Sequence, residues 1–133
     1  MSRRYFTPAE VEALIPRLSR IMTGVMAAHT EASEIAARLR GERERIARSG
    51  GGTIDRGAWE RDRSRADVQT AAIQKALEEI SELGGETKDL TMGLVDFRHL
   101  LDGREVNLCW RYGETTIGFW HGLDEGYATR KPL

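Results

Sequence analysis

The sequence predicts an α+β fold in which a long antiparallel helical hairpin packs on a small three-stranded antiparallel β-meander. The helices are predicted by apolar residues that recur every seven positions on either side of a glycine-rich break at residues 49–52. The sheet is predicted by two tight-turn dipeptides, Asp102-Gly103 and Gly113-Glu114, which join three short runs rich in β-forming residues.

Length and composition favour one domain. The chain has 133 residues, of which 40% are hydrophobic and 31% charged, as in ordinary globular proteins. We divide it into a helical hairpin at 7–85 and a β-meander with a C-terminal tail at 86–133. The N-terminus has no apolar core of a secretory signal, no apolar run approaches a membrane span, and the single cysteine excludes an internal disulfide. We therefore expect a cytoplasmic protein without membrane contact.

The first helix is predicted to begin at a capping box. Thr7 is the N-cap, Pro8 occupies the first helical position, and Glu10 stands three residues after the cap. Its main apolar row follows a heptad spacing typical of coiled-coil-like packing: Val11, Leu18, Val25, Ala32 and Leu39.

The second helix is predicted to begin after Asp55 as N-cap and to stop at Gly84-Gly85. Its apolar positions also repeat every seven residues: Trp59, Ala66, Ile73 and Ile80. The apolar stripe near the start of the first helix is wider than one partner helix needs, which favours a homodimer or another protein partner.

Charge gives little support for nucleic-acid binding. The net charge is −1, although residues 38–65 hold nine arginines against five acids. We interpret this basic segment as a solvated helix tip, because no aromatic platform or recognition motif accompanies it.

The two predicted turns set a register for the sheet. Asp102-Gly103 as a type I′ turn pairs Phe97 with Leu108, and Gly113-Glu114 as a type II′ turn pairs Leu108 with Phe119. One face is then apolar and should pack on the helices: Val95, Phe97, Val106, Leu108, Trp110, Ile117 and Phe119. The opposite, mostly polar face carries Leu94, Asp96, Arg98, Asn107, Cys109, Arg111, Thr116, Gly118 and Trp120.

A metal site is one hypothesis for this sheet. In the predicted register His99 and His121 share the rim of the apolar face, and Asp124 or Glu125 would complete a ligand set for a divalent metal such as zinc. The alternative is that His121 satisfies a backbone carbonyl at the edge of the core, since no recognised metal-binding spacing is present.

The polar face is a second candidate site. Asp96 and Arg111 form either a diagonal ion pair or a ligand-binding pair, and Trp120 flanks Cys109. Cys109 lies on the face opposite His121 in this register, which argues against a shared metal and against a Cys–His hydrolase. Cys109 is otherwise a small, half-buried hydrophobic residue, and a one-residue slip would reverse the conclusion.

The segments YFTPAEVEALIPRL, GLVDF, DGREVNLCWRYGE, IGFWH and GYATRKP resemble an uncharacterised bacterial family, domain-of-unknown-function family 2203. The resemblance spans nearly the whole chain. It implies a small intracellular protein with a helical hairpin and a short sheet, and it implies no activity. Among its motif positions, the polar residues to test are Asp96, Cys109, Glu114, His121 and Arg130, whereas His99 falls outside the motif.

These observations favour a non-enzymatic, oligomeric interaction module built on the helical hairpin. The alternative is a metal- or small-ligand-binding protein that uses His121 with nearby carboxylates, or the Asp96/Arg111 face. An enzyme of unknown reaction comes last, because no catalytic constellation is evident.

Overall fold

The computed structural model describes residues 4–50 and 55–133. Within these ranges the chain forms two helices followed by a five-stranded antiparallel sheet, which confirms the α+β class. The helices are α1 (Pro8–Ser49) and α2 (Arg56–Glu82). The strands are β1 (Glu86–Asp89), β2 (Leu94–Leu101), β3 (Arg104–Arg111), β4 (Phe119–His121) and β5 (Lys131–Pro132), with a short 3₁₀ helix at Tyr127–Thr129 before β5.

Local sequence signals define the start of α1, as predicted. The Glu10 N–H donates to the Thr7 hydroxyl at 3.2 Å, and the Thr7 N–H donates to the Glu10 carboxylate at 2.9 Å. This capping box satisfies two backbone donors that the first turn cannot satisfy internally. The helix ends where Gly50 adopts a left-handed φ of 73°.

The predicted helix α2 begins after Asp55, whose carboxylate accepts from the Ala58 N–H at 3.1 Å. Of the predicted break at 49–52, Gly51 and Gly52 lie outside the described residues. Towards this end the two helices meet through polar pairs, including Arg38 and Asp62 at 2.9 Å. None of the described helices combines the length and hydropathy needed to cross a membrane.

The first hairpin of the sheet has the predicted register. Asp102 and Gly103 both have positive φ, at 51° and 81°, as a type I′ turn requires. Phe97 pairs with Leu108 and Val95 with Trp110. The apolar side chains of this hairpin therefore share one face, against which the first half of α1 packs.

The prediction of three strands was wrong, because β1 and β5 add one strand at each edge. β1 has the sequence ETKD and β5 consists of two residues. Neither has a period-two apolar pattern, so neither produces the usual sequence signal of a strand. Each forms through pairing with a longer or more central neighbour, β1 with β2 and β5 with β4.

The predicted second hairpin was also wrong. The turn spans 111–114, with the Glu114 N–H donating to the Arg111 carbonyl at 2.9 Å and Gly113 at a φ of 101° in its third position. The chain then runs outside the ladder until β4, and Leu108 pairs with Trp120 instead of Phe119. This shift of one residue turns Phe119 and His121 to the polar face and Trp120 to the apolar face.

The core lies between the sheet and the adjoining ends of the helices. It contains Phe6 and residues from both helices, the sheet and the connection before β4: Val11, Ile15, Leu18, Met22, Val25, Ile80, Val95, Phe97, Leu108, Trp110 and Ile117. Trp120 packs against this cluster from β4. The helices thus cover one face of the sheet and leave the opposite face for polar residues.

We expect Gly93→Ala to destabilise the fold by about 2 kcal/mol. Gly93 has a φ of 74°, and a Cβ there would lie 2.6 Å from Tyr112 Cβ and 3.0 Å from Met26 Sδ. Urea unfolding monitored by circular dichroism measures the change.

Gly41→Ala is the control, since a Cβ at this helical position meets nothing within 4 Å. It should be neutral or stabilise by up to about 1 kcal/mol. Equal midpoints for Gly93→Ala and the natural protein would contradict the expectation.

Candidate metal centre

Three metal-ligating side chains meet on the sheet face opposite the helices. Asp96 of β2 pairs directly with Cys109 of β3, and His121 of β4 pairs with Asn107, two residues before Cys109. One ligand atom from each of Asp96, Cys109 and His121 lies within 4.8 Å of the others. All three are buried, with exposed fractions of 4%, 1% and 2%.

The hydrogen bond of His121 determines which ring nitrogen faces the cluster. Nδ1 lies 2.8 Å from the Gly122 carbonyl oxygen. A carbonyl oxygen only accepts, so Nδ1 carries a proton and donates it. Nε2 is turned to Asp96, 3.0 Å from its Oδ2. This is the arrangement in which a metal-binding histidine is held by a second, outer hydrogen bond.

The Asp96 carboxylate is the least satisfied polar group of the cluster. Its Oδ2 lies 3.0 Å from His121 Nε2, at ion-pair distance, whereas Oδ1 has no hydrogen-bond partner in the described part of the chain. Burial raises the pKa of Asp96, and the nearby His121 opposes that rise. The Oδ1 atom of this buried carboxylate therefore lacks a donor or a cation among the described residues that would stabilise its charge.

Cys109 is a neutral thiol in this environment. Burial, with the Asp96 charge beside it, raises the pKa of Cys109 to about 11, although the neighbouring Arg130 opposes the rise. A nucleophilic cysteine needs the opposite, a lowered pKa and a free base. Both His121 nitrogens are directed elsewhere, to Gly122 and Asp96. The geometry therefore does not assemble a Cys–His nucleophile.

Arg130 and Glu114 border the cluster next to Cys109. The two side chains form a double contact, with Arg130 Nη1 and Nη2 donating to Glu114 at 3.2 and 2.9 Å. The Arg130 guanidinium also stacks on Phe119, 4.1 Å from the ring centre. Residues from the β3–β4 connection and from the tail are thereby attached to the edge of the cluster.

The predicted pairing of His99 with His121 was wrong. His99 pairs with Val106 in the row next to Asn107, so the two histidines point to opposite faces of the sheet. His99 Nδ1 instead contacts the Phe6 carbonyl oxygen at 2.7 Å. Asp124 is exposed and is not among the residues that meet at the cluster.

The predicted separation of Cys109 from His121 was wrong for the same reason, the one-residue difference in the β3–β4 register. Trp120 does not flank Cys109, because it faces the core. Arg111 does not pair with Asp96 and instead donates to the Tyr127 hydroxyl at 2.7 Å. The ionic neighbour of Asp96 is His121.

One residue of this face was not selected from the sequence. Asn107 is 6% exposed and is flanked across the strands by Arg98 and His121. Asparagine is mostly exposed in folded proteins, so a buried asparagine in a central strand is unusual. Its position beside the cluster, however, follows only from the β3–β4 register.

The donor set fits a divalent transition metal. A thiolate, an imidazole nitrogen and a carboxylate oxygen are the ligand types of zinc, at about 2.0–2.3 Å from the ion. Donors at these distances in a tetrahedron are roughly 3.5 Å apart, so the cluster would contract by on the order of 1 Å around the ion. Three protein ligands leave one coordination position for a further molecule.

Comparison with known proteins gives a family without an assigned activity. A family model described as "Uncharacterized conserved protein (DUF2203)" matches residues 4–133. No curated protein and no solved structure matches the chain. Any functional conclusion therefore depends on the site itself.

We expect Asp96→Asn to stabilise the metal-free protein by about 1–3 kcal/mol at neutral pH, since it removes a charge that burial disfavours more than the His121 contact stabilises it. Because burial raises the Asp96 pKa, the folded chain binds this proton more tightly than the unfolded chain. Its contribution to stability is therefore present in acid and is lost as the pH rises above the ordinary value of 3.8. The difference between variant and natural protein should grow over that range.

Thermal unfolding of chelator-dialysed protein at several pH values measures this difference. Asp89→Asn is the matched control, because Asp89 Oδ1 already accepts from the Thr91 and Met92 N–H groups at 2.7 Å each. That variant should not be stabilised. An Asp96→Asn variant less stable than the natural protein throughout would show that the carboxylate itself supports the fold.

Proposed function

We propose that this chain, which belongs to the DUF2203 family, is a metal-binding protein that holds one divalent cation between Asp96, Cys109 and His121. Zinc is the cation that suits these ligands best. The proposal does not assign an enzymatic activity to the chain. It names a binding function that the side chains of this face support.

The observation that carries the proposal is the buried cluster of Asp96, Cys109 and His121, in which Oδ1 of the Asp96 carboxylate has no hydrogen-bond partner among the described residues. Leaving a buried polar group unsatisfied costs about 1–3 kcal/mol, more when it is charged. An uncharged residue in place of Asp96 would not carry this cost, so stability alone does not explain the carboxylate. A cation bound by Oδ1 or Oδ2 would remove it and would stabilise the ionised form.

The ligand types favour zinc over the hard cations. Magnesium and calcium are bound through oxygen ligands, whereas this set contains one sulfur, one nitrogen and one oxygen donor. The metal must also displace the thiol proton of Cys109, whose pKa of about 11 keeps it protonated in the metal-free chain. Metal ions deprotonate coordinating thiols readily, so binding should release a proton and strengthen as the pH rises.

Neighbouring residues support the ligands. The Gly122 carbonyl orients His121 so that Nε2 faces the cluster. Arg130 interacts with the Cys109 sulfur and would partly neutralise a thiolate formed there. Loss of such contacts to the metal ligands commonly lowers metal affinity by about 10- to 100-fold.

An oligomeric interaction module stays a prediction. Val68 on α2 is 65% exposed, but isolated exposed apolar residues are common on monomeric proteins. The polar pairs between the helices, such as Arg38 with Asp62, also make the outer half of the hairpin less like a continuous apolar seam. The metal centre is therefore the more specific of the two hypotheses.

We expect protein purified without a histidine tag to contain close to one equivalent of zinc by mass spectrometry of metals. His121→Ala should lose at least nine-tenths of it, because the variant removes one of three ligands. His29→Ala is the matched control, since His29 lies on α1 away from the sheet and should keep its metal. Circular dichroism identifies a variant that fails to fold.

Cys109→Ser provides a second test that leaves His121 in place. After cobalt substitution, the natural protein should show a thiolate-to-metal charge-transfer band, and Cys109→Ser should lack it. At a free zinc concentration 1,000 times the dissociation constant, binding should stabilise the natural protein by about 4 kcal/mol. Equal metal content in the natural protein, His121→Ala and Cys109→Ser would rule out this centre.

A further inference from the structure

A pocket of about 260 Å³ adjoins the metal centre. It shares Asp96 with the centre, and the other residues that line it are Arg4, Gly84, Glu86, Arg98 and Asn107. Ligand pockets for drug-sized molecules usually occupy about 300–1,000 Å³, so this pocket suits a smaller molecule.

The sheet register places the pocket and the metal centre side by side on the same face of the sheet. Asn107 pairs with Arg98 on one side and with His121 on the other. Directly paired residues of antiparallel strands point to the same face. Arg98, Asn107 and His121 therefore form one row on this face, and Asp96, which lines the pocket and belongs to the centre, lies in the adjoining row.

Two buried polar residues, Asp96 and Asn107, line this pocket, with exposed fractions of 4% and 6%. Asp96 Oδ1 has no hydrogen-bond partner within the described residues. The side-chain amide of Asn107 can donate to a ligand through its nitrogen and accept through its oxygen.

Two guanidinium groups give the pocket donors for an anion. Arg98 and Arg4 both line it, although Arg98 also donates to Glu105 at 3.4 Å and Arg4 lies 3.8 Å from Glu10. The acidic Glu86 in the wall is paired with Lys88 at 2.8 Å. A divalent cation bound by ionised Asp96, ionised Cys109 and neutral His121 has no net charge, so the centre itself would not repel an anion.

We infer that this pocket binds a small carboxylate, one oxygen of which completes the coordination of the metal while the other accepts hydrogen bonds from Arg98 and Asn107. The inference rests on the proposed metal centre. A planar carboxylate matches this arrangement because its two oxygens point to two different partners, and guanidinium groups recognise such pairs of oxygens. Inorganic phosphate shares the negative charge and is tested as the competing ligand.

The test is a titration of the cobalt-substituted full-length chain. Malonate and acetate, added in separate titrations, should each shift the visible absorption of the bound cobalt in a saturable way. Arg98→Gln and Asn107→Ala should bind the same amount of cobalt and weaken malonate binding by about 10- to 100-fold, the usual effect of losing a hydrogen bond to a charged group. Arg104→Gln, an exposed change at the start of β3, is the matched control and should bind malonate within twofold of the natural protein.

The possible failures are distinguishable. Cobalt bound with no response to either carboxylate would overturn this inference and leave the metal-binding function standing. A response to phosphate alone would overturn the assignment to carboxylates. Malonate binding unchanged in both pocket variants would place the ligand elsewhere. A chain that binds no cobalt would overturn the proposed function itself, and this inference with it.

Discussion

The register between β3 and β4 decides which side chains share the buried polar face of the sheet. Pairing of Asn107 with His121 brings the imidazole to the face that already holds Asp96 and Cys109. A difference of one residue would turn His121 into the core and disperse the cluster. The turn at 111–114 supports this register, because the Glu114 carboxylate accepts from the Arg111 N–H at 2.7 Å and also pairs with Arg130.

The two faces of the sheet serve different purposes. On one face, Phe97 and Trp110 are completely buried against the helices and hold the strands in place. On the other face, the chain buries a carboxylate whose Oδ1 has no hydrogen-bond partner among the described residues and a thiol whose pKa is raised to about 11. Natural proteins retain such unfavourable groups mainly where a ligand or a reaction needs them. Burial of the apolar face stabilises the fold and offsets the unfavourable burial of polar groups on the other face.

The same contacts argue for metal binding and against nucleophilic catalysis by Cys109. Cys109 is a poor nucleophile, because its thiol pKa is raised and His121 is directed to Asp96 and Gly122. The same groups suit a metal site, because a thiol can release its proton when it binds a cation. The pocket beside Asp96 would bring small molecules close to a metal bound there. Arg98 and Asn107 would then select among those molecules by charge and hydrogen bonding.

The sequence by itself determined the features that depend on three or four neighbouring residues. The capping box of Thr7 and Glu10 and the Asp102-Gly103 turn were predicted correctly because their partners are adjacent in the chain. Only the tertiary structure decided the position of His121. The connection before β4 depends on distant contacts, such as the bond from the Ile117 N–H to Glu12, which local turn preferences do not contain. Since side chains alternate along a strand, the β3–β4 register also determines that His121 lies beside Asp96 and Cys109.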